Sequence, residues 1–420
     1  MDAPEIIIVN AVYPPEPVVS AQIGRDLAVH LAQEGGRVTV LCPFPTRPAG
    51  AQYSEYRKND GVRVARVEGV EVIRLPSFTA PESTVINRMR ESFSFGQHVH
   101  QYLKRHYADV DVIYANTWPL LGQAFIARYC KRRGIPLVLH IQDIYPESLL
   151  CKWPLALRGV LAPLLTAFDR WIVRQATRVV VISENMRRTY VEGRGLAPEK
   201  VVVISNWIDE GRFSRLPARS DACKRYGVPE EKFTFLFLGN VGPVAGVHGL
   251  IEAFHAAQLK QAQLVIAGDG SAKAACIELV KRLMASDVLF ISDPDVGNVP
   301  MLQSIAHVCL LPLRKGAGMS SMPSKLPAYM FSAKPVLATV DVESDTARSI
   351  REAKCGWMGE PENTQWLAAK MTEISILPTA ELTAMGQRGL AYSLMHFSKA
   401  EGVQRLGGVV LDAVVKALKQ

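Results

Sequence analysis

The sequence predicts an α/β protein made of two doubly wound halves. Short apolar runs such as Glu5–Asn10 (EIIIVN) alternate with segments of helical period along nearly the whole chain. This alternation breaks around residues 206–217 and then begins again. A chain of 420 residues is also long for a single hydrophobic core. We therefore predict a first domain at residues 1–206, a second at 207–392 and a C-terminal helix at 393–420.

The first half opens with a βαβ unit, predicted as strand 5–10, helix 23–33 and strand 37–41. A right-handed crossover places the loop after the first strand at the sheet edge where ligands bind. Gly24 opens the predicted helix there, but no GxGxxG sequence supports a dinucleotide site. The remaining predicted elements are two strands in 62–77, helix 85–105, strand 111–115, helix 122–132, strand 136–140, helix 169–176 and strands 178–183 and 201–204.

The helix predicted at 85–105 allows two interpretations. Ile86, Met89, Phe93 and Val99 are its apolar residues, and the other positions include several arginines and lysines. In the first interpretation the apolar face packs on the core and the basic face is solvated. In the second the helix lies on a membrane surface that contains anionic lipid.

The second half repeats the alternation. Its predicted elements are strand 233–238, helix 250–257, strand 263–267, helix 273–283, strands 288–291, 308–313 and 335–340, helix 345–352, strand 355–357 and a mostly helical segment 381–420 that breaks near 396–398.

Composition and charge narrow the classes of function. A hydrophobic content of 48% indicates a packed globular protein, and the seven scattered cysteines, never spaced CxxC, indicate a reducing compartment without a cysteine zinc site. No signal peptide or 18-residue apolar run occurs, so we expect a cytoplasmic protein that can lie against a membrane without crossing it. The net charge of +8 favours anionic partners. The basic residues of the chain form short clusters rather than a stripe with interleaved aromatic residues, so nucleic-acid binding is disfavoured.

Residues 315–336 predict a phosphate site. The run GAGMSS lets backbone N–H groups approach an anion, and Lys325 follows it at the start of a helix whose apolar face includes Leu326, Met330 and Phe331. Ser320 or Ser321 is expected to cap that helix. The alternative is an ordinary αβ corner with an exposed lysine.

Several motifs resemble glycosyltransferase family 4. They are the SNWID segment at 205–209, GNVG at 239–242, AGDG at 267–270, LPLRKGAGMSSMPSK and AYMFSAKPV, with HIQD at 140–143 pointing to the bacterial branch that builds colanic acid, capsule and O-antigen. The resemblance implies the GT-B fold: two Rossmann-like domains facing a cleft, with the last helix crossing back to the first domain. It implies a nucleotide-sugar donor on the C-terminal domain, an acceptor on the N-terminal one, transfer with retention of configuration, and no metal or other cofactor.

The chain departs from the family at four positions. The paired glutamates usual in the family fall on Ser320 and Ala328, and its Arg and Lys fall near Asn240 and Ala245. We expect the diphosphate to depend instead on the glycine-loop amides and Lys325, with Lys315 in reserve.

The resemblance assigns site residues as follows. The predicted catalytic residues are His140, Asp143 and Lys325. The predicted donor-binding residues are Gly239, Asn240, Gly242, Asp269, Gly318, Met319, Ser320, Ser321, Ser324, Lys325 and Glu343. The predicted acceptor-binding residues are Gly24, Gln142 and Glu147. The alternatives are structural: a satisfied core histidine at His140, turn caps at Asp143 and Asp269, a cap among residues 343–345, and a carbonyl contact for Lys325.

Three functions remain open at this point. The favoured one is transfer of a sugar from a UDP-sugar to a polyprenyl-linked glycan or oligosaccharide, on the cytoplasmic face of the inner membrane. The second is a GT-B sugar-nucleotide 2-epimerase, which the scarcity of carboxylates in 315–336 disfavours. The third is a non-catalytic nucleotide-sugar-binding subunit of a polysaccharide assembly complex.

Overall fold

Two parallel sheets organise the chain in the computed structural model, which describes residues 3–46, 53, 61–80, 84–107, 109–117, 120–150, 155–292, 298–316, 318 and 322–417. The chain divides into two units. The first comprises Met1–Asn206 with Gly402–Gln420, and the second comprises Trp207–Glu401. Among the described residues, no helix is both long and apolar enough to span a bilayer.

The first unit contains an eight-stranded sheet within its described residues, in the order β3-β4-β2-β1-β5-β6-β7-β8. Every pairing is parallel except that of β3 with β4. The strands are β1 (Glu5–Asn10), β2 (Arg37–Pro43), β3 (Arg63–Val67), β4 (Val70–Leu75), β5 (Val112–Asn116), β6 (Leu137–Ile141), β7 (Arg178–Val181) and β8 (Val201–Val203). The helices are α1 (Val19–Gln33), α2 (Val85–His106), α3 (Leu121–Arg133), α4 (Glu147–Leu150), α5 (Leu155–Gln175) and α6 (Glu184–Arg188).

The central strands of this sheet are buried on both faces, which explains their uninterrupted apolar sequences. In β5, for example, Val112, Ile113, Tyr114 and Ala115 are all fully buried. Burial of both faces requires helices on each side, and the doubly wound arrangement predicted from the sequence is confirmed.

Helix α1 begins at Val19, four positions before the predicted start. The prediction that Gly24 opens this helix is wrong, because Gly24 lies inside it and is buried. A Cβ atom at Gly24 would lie 1.6 Å from Nδ2 of Asn10, so the glycine is needed for the approach of α1 to β1.

The apolar residues predicted for one face of helix α2 do not all pack on the core. Val99 is buried in the core together with Phe95 and Leu103. Ile86 and Phe93, in contrast, remain 65% and 47% exposed. The single core-facing apolar face is therefore wrong for the N-terminal half of the helix.

The second unit contains a six-stranded, all-parallel sheet within its described residues, in the order β11-β10-β9-β12-β13-β14. The strands are β9 (Phe233–Leu238), β10 (Ala262–Ala267), β11 (Val288–Ile291), β12 (Val308–Pro312), β13 (Val336–Thr339) and β14 (Gly356–Gly359). The helices of this unit are α7 (Arg219–Tyr226), α8 (Val247–Ala257), α9 (Lys273–Leu283), α10 (Val299–Ser304), α11 (Lys325–Phe331), α12 (Asp345–Ala353), α13 (Thr364–Ser375) and α14 (Thr379–His396), and α15 (Lys399–Ala417) follows them along the chain.

The C-terminal segment is two helices with a break at Phe397 and Ser398, as the sequence predicted. From Gly402 onward the chain belongs to the first unit. Within that unit, Arg405 Nη2 donates to the carbonyl oxygen of Val203 at 2.9 Å, and Gly407 lies against the His30 ring. The last helix thus crosses back to the first domain.

Candidate functional site

Lys325 lies at the start of α11 beside the carboxyl end of β9. Its Nζ atom is 4.2 Å from the centroid of the Phe237 ring. Among the described residues, no carboxylate forms an ion pair with it, and burial lowers the pKa of Lys325 from 10.5 to about 8. A half-buried cation that has an aromatic face but no counter-ion can bind an anion.

Glycines make room for Lys325 where β9 and β10 end. Gly239 has a φ of 138°, and a Cβ atom there would lie 2.4 Å from Cε of Lys325. Gly268 ends the next strand with the same φ, and its Cβ position is 2.1 Å from the carbonyl oxygen of Gly239. Side chains at either position would displace the lysine or the loop.

The polar residues next to these glycines lie in the loops after β9 and β10. Asp269 is exposed, and its Oδ1 accepts from the N–H of Gly270 at 3.0 Å. Asn240 is also exposed and packs against Gly242 and Gly270. The Asp269 carboxylate also lies 3.7 Å from Nζ of Lys273, so both of these contacts are with residues that follow it in the chain.

Gly242 lines a pocket of about 510 Å³ at the same edge of the second sheet. This pocket lies between the loop after β9, the end of β12 and the first turns of α8 and α13. Lys325 and Gly239 are not among its lining residues. Of the described residues that were predicted to bind the donor, Gly242 is the one that lines this pocket.

The loop after β12 is held by the loop after β13. Gly316 donates its N–H to Oδ2 of Asp341 at 2.8 Å, and Gly318 is buried against Ser344. Ser344 caps α12, since its Oγ accepts from Ala347 N at 3.2 Å. Capping thus explains Ser344, and the exposed Glu343 precedes it.

The predicted serine cap of α11 is wrong. The helix begins at Lys325, its N-cap residue is Ser324, and the Ser324 side chain makes no capping hydrogen bond. The predicted donor-binding residues Met319, Ser320 and Ser321 lie outside the described residues.

A second pocket, of about 210 Å³, lies at the carboxyl ends of β1, β5 and β6 in the first unit. His140, Gln142 and Asp143 all line it, so the structure brings these three predicted residues together. Asp143 is exposed and Gln142 half-buried, whereas His140 is 1% exposed. Gly24 and Glu147, predicted to bind the same ligand, do not line this pocket.

His140 is enclosed by neighbouring side chains. Its Nδ1 is 2.6 Å from the Tyr114 hydroxyl, and its Nε2 is 3.0 Å from Nε2 of Gln142. Burial lowers the pKa of His140 to about 3, so the ring is neutral near pH 7. This environment matches the alternative of a satisfied core histidine.

Glu147 instead forms the exposed part of a charge cluster around the buried Arg194. Nη2 of Arg194 donates to both carboxylate oxygens of Glu147 at 2.7 Å, and Nε donates to Asp169 at 2.7 Å. Arg194 is 3% exposed and also donates to the Tyr145 carbonyl oxygen. Glu147 thus ties the loop after β6 to α5.

Sequence reasoning missed several polar residues of the smaller pocket, among them Asn116, Thr117 and Gln123. Asn116 is the last residue of β5 and Thr117 follows it, so both lie at the carboxyl end of that strand, as Gln142 and Asp143 lie at the carboxyl end of β6. Their position could have identified them from the sequence, because parallel strands bring their carboxyl ends to one edge of the sheet.

The two α/β units are those of a GT-B glycosyltransferase. A profile of the "Glycosyl transferase 4-like domain" matches residues 21–207, and one of "Glycosyl transferases group 1" matches residues 219–389. The chain belongs to this family of glycosyltransferases, and the resemblance noted in the sequence is confirmed.

Two relatives and one solved structure show in more detail which proteins this chain is similar to. It is 30% identical over 300 residues to the probable glycosyltransferase WbjE of Pseudomonas aeruginosa, covering 69% of this chain and 72% of that protein. It is 26% identical over 395 residues to the putative colanic acid biosynthesis glycosyl transferase WcaI of Escherichia coli K12, covering 89% and 93%. The structure of Anabaena Alr3699/HepE in complex with UDP and glucose aligns over 96% of this chain and 98% of its own, with a TM-score of 0.63 and 18% identity.

Proposed function

We propose that the protein is a retaining hexosyltransferase of bacterial surface polysaccharide synthesis. It would move the sugar from a UDP-sugar to a lipid-linked or oligosaccharide acceptor. The observation that carries this proposal is Lys325, an ammonium group beside Gly239 with no ion-pair partner among the described residues. The similarity to WcaI supports a role in polysaccharide synthesis. The similarity to HepE, a protein solved with UDP, supports UDP as the nucleotide of the donor.

The proposed reaction breaks the bond between the anomeric carbon and the diphosphate oxygen. The acceptor hydroxyl oxygen bonds to the same face of that carbon, and its proton passes to the departing diphosphate. Negative charge grows on the diphosphate during this step, so Lys325 and the backbone N–H groups of Asn240 and Gly242 would stabilise the transition state. Asp143 would orient the acceptor hydroxyl, because it is the exposed carboxylate at the pocket in the first unit.

Calorimetry followed by a transfer assay tests this function. We expect UDP to bind more tightly than GDP or ADP, and a UDP-hexose to be consumed in the presence of polyprenyl-diphosphate-linked glycans. Nuclear magnetic resonance of the product should show the anomeric configuration of the donor. Failure of all three nucleotides to bind would overturn the proposal. Binding without transfer or hydrolysis would indicate a non-catalytic subunit, and recovery of a UDP-sugar inverted at C2 would indicate an epimerase.

We also propose that α2 and α3 attach the first unit to an anionic membrane surface. Phe93 of α2 contacts Phe125 of α3. His100, which lies further along α2, contacts Tyr129, which lies further along α3, so the two helices run parallel to each other. Their C-terminal turns, Lys104–His106 and Lys131–Arg133, therefore lie at the same end. Together the two helices carry eight Arg or Lys residues and one acid, Glu91, which pairs with Arg88.

The opposite end of this helix pair is apolar. A groove of about 520 Å³ there is lined by Phe78, Ile86, Met89, Arg90, Phe93 and Leu121. Exposed apolar side chains on a helix pair that carries eight basic residues are a combination that binds the headgroup region of anionic lipid.

Sedimentation with vesicles distinguishes charge-dependent binding of lipid by this surface from nonspecific adsorption. Wild-type protein should bind phosphatidylglycerol vesicles, bind phosphatidylcholine vesicles weakly, and lose binding as salt is raised. Ile86→Asp should reduce binding about tenfold, because it removes a 65% exposed apolar side chain from the contact. Val64→Asp is the matched control, since Val64 is 56% exposed on β3. Equal losses in the two variants, or binding that ignores lipid charge, would contradict the proposal.

A further inference from the structure

Helix α5 is longer than the strands beside it. It has 21 residues and so spans about 31 Å, whereas the five residues of β6 span about 17 Å. Its last residue, Gln175, stands three positions before Arg178, the first residue of β7, so the C-terminal end of the helix lies at the amino edge of the sheet. The N-terminal half of α5 therefore projects beyond the carboxyl edge.

Burial along α5 follows this division. In its second half, Asp169, Ile172 and Val173 are buried. Between residues 158 and 168, in contrast, no residue is buried, although the structure describes every one of them. We call residues 158–168 the projecting segment. The first unit thus leaves about three turns of helix largely uncovered.

The exposed residues of the projecting segment are all apolar. They recur with the period of the helix and so form one stripe along it, made of Gly159, Val160, Pro163, Leu164 and Ala167. Val160 and Leu164 are 68% and 65% exposed. A helix face in contact with water is normally polar, so this stripe indicates a surface that another molecule covers.

The same stripe becomes basic in the second half of α5, where its exposed residues are Arg170 and Arg174. Helix α2 has the same polarity, with Ile86 exposed near its N-terminal end and a basic last turn. Helix α3 packs against both α2 and α5, so the three helices form one layer. Each of them leads into the amino end of a parallel strand, so their N-terminal ends lie at the same edge of the sheet.

Charge and composition favour lipid over protein as the molecule that covers the stripe. Protein interfaces are enriched in aromatic residues, methionine and arginine, and the exposed residues of the projecting segment belong to none of these types. Two copies joined through α5 would bring two basic helix layers together, in a chain of net charge +8. An anionic leaflet suits the whole stripe, because acyl chains cover its apolar part and phosphate groups attract its arginines.

We propose that the projecting segment of α5 inserts into the hydrocarbon of an anionic membrane leaflet, with Val160 and Leu164 as its main apolar contacts. This inference rests on the membrane attachment proposed above and extends it: α2 and α3 bind headgroups, and α5 adds a hydrophobic contact. Because the segment projects from the carboxyl edge of the first sheet, its insertion holds the pocket of that edge close to the lipid surface.

Hydrogen exchange measured by mass spectrometry on the full chain locates the contact. Phosphatidylglycerol vesicles should slow exchange at residues 158–168 and leave the exposed last turn of α14 unchanged. Unchanged exchange at 158–168 in vesicle-bound protein would overturn the inference. Slowing without lipid that grows with protein concentration would identify a second copy, and slowing that requires polyprenyl-diphosphate-linked glycan in the vesicles would identify the acceptor chain. Either result would also overturn it.

Neutral substitutions test the two main contacts. Leu164→Gln and Val160→Gln should each weaken vesicle binding about tenfold, because each removes an apolar side chain without adding charge. The loss should be the same at every salt concentration, since salt does not screen an apolar contact. Leu394→Gln is the matched control, because Leu394 is 46% exposed on α14. Equal losses in the control, or a loss that vanishes as salt is raised, would contradict the insertion.

Salt dependence separates this contact from that of α2 and α3. Lys131→Gln with Arg132→Gln, two exposed residues of α3, should make vesicle binding less sensitive to salt, whereas Leu164→Gln should leave that sensitivity unchanged. Wild-type binding that ignores salt while residues 158–168 remain protected would count against α2 and α3 and leave the insertion of α5 standing. Changed salt sensitivity in Leu164→Gln would count against the insertion.

Discussion

The ammonium of Lys325 lies 4.2 Å from the centre of the Phe237 ring, on the strand that precedes the glycine loop. The electron-rich face of the ring partly offsets the loss of hydration that burial imposes on the cation. Since no carboxylate among the described residues neutralises it, the charge remains available to a diphosphate.

Removal of this charge should weaken nucleotide binding. Lys325→Ala is expected to reduce the affinity for UDP by about 1–3 kcal/mol, the range of a charge-assisted hydrogen bond. Lys224→Ala is the matched control, because Lys224 is an exposed lysine on α7 of the same unit. Calorimetry with UDP measures both. Unchanged affinity in Lys325→Ala would remove this lysine from the site.

The affinity for UDP should also depend on pH in a specific direction. Burial lowers the pKa of Lys325 to about 8 in the ligand-free protein, so the cation disappears as pH rises above this value. UDP affinity should therefore be flat between about pH 7 and 8 and then fall, by at most tenfold per pH unit. Lys325→Arg stays charged and should remove the fall. A fall that persists in the arginine variant would assign it to another group.

The same shift has the opposite effect on the stability of the ligand-free protein. The folded-state pKa of about 8 lies below the ordinary 10.5, so the unfolded chain holds more protons between these values. The contribution of Lys325 to the free energy of unfolding therefore rises with pH across this interval. Urea unfolding at about pH 8 and pH 10 should show a smaller rise for Lys325→Met than for the wild type. Equal rises would contradict the lowered pKa.

Gly239 should be intolerant of a side chain for a reason that involves Lys325. Gly239→Ala places a Cβ 2.4 Å from Cε of the lysine, at a φ of 138°. We expect a lower Tm and weaker UDP binding, because the lysine must leave the Phe237 ring. Gly227→Ala has a positive φ of 64° but no neighbour within 4 Å, and should cost only about 1 kcal/mol of stability with UDP affinity intact. Normal UDP binding by Gly239→Ala would disprove the coupling.

Arg194 should be critical for stability. Arg194→Met leaves the buried carboxylate of Asp169 without its partner, and breaking such a pair costs about 3–5 kcal/mol. Arg187→Met is the control, because its pair with Glu184 is about one-third exposed and contributes less than about 1 kcal/mol. Urea denaturation measures the difference. Similar losses in the two variants would show that the buried cluster is not a special stabilising element.

The elements that the sequence predicted best are buried strands. Predictions for β1, β9 and β11 match the structure residue for residue, because a run of apolar residues that is buried on both faces has an unambiguous pattern. The helices α4, α6, α7, α10 and α13 were missed, and α5 was predicted only from residue 169 onward. In α7 only Ala222 and Cys223 are buried, so its sequence carries little helical period.

Site residues could be predicted where a local sequence motif marks them. Their roles could not be predicted where contacts between distant parts of the chain decide them. Lys325 could be selected from its motif, but its contacts with Phe237 and Gly239 join distant parts of the sequence. His140 was selected as a catalytic residue, and only the structure shows that Tyr114 and Gln142 occupy both ring nitrogens. Glu147 was similarly indistinguishable from a ligand contact until Arg194 could be located beside it.

The C-terminal helix has a consequence for recombining genes of this family. Because residues from Gly402 onward belong with Met1–Asn206, the first unit is encoded by two stretches of DNA on either side of the second. A hybrid enzyme that takes this unit from a relative has to import both stretches. Joining a foreign 1–206 to the native remainder would separate Arg405 from the Val203 carbonyl and Gly407 from the His30 ring that it was selected to fit.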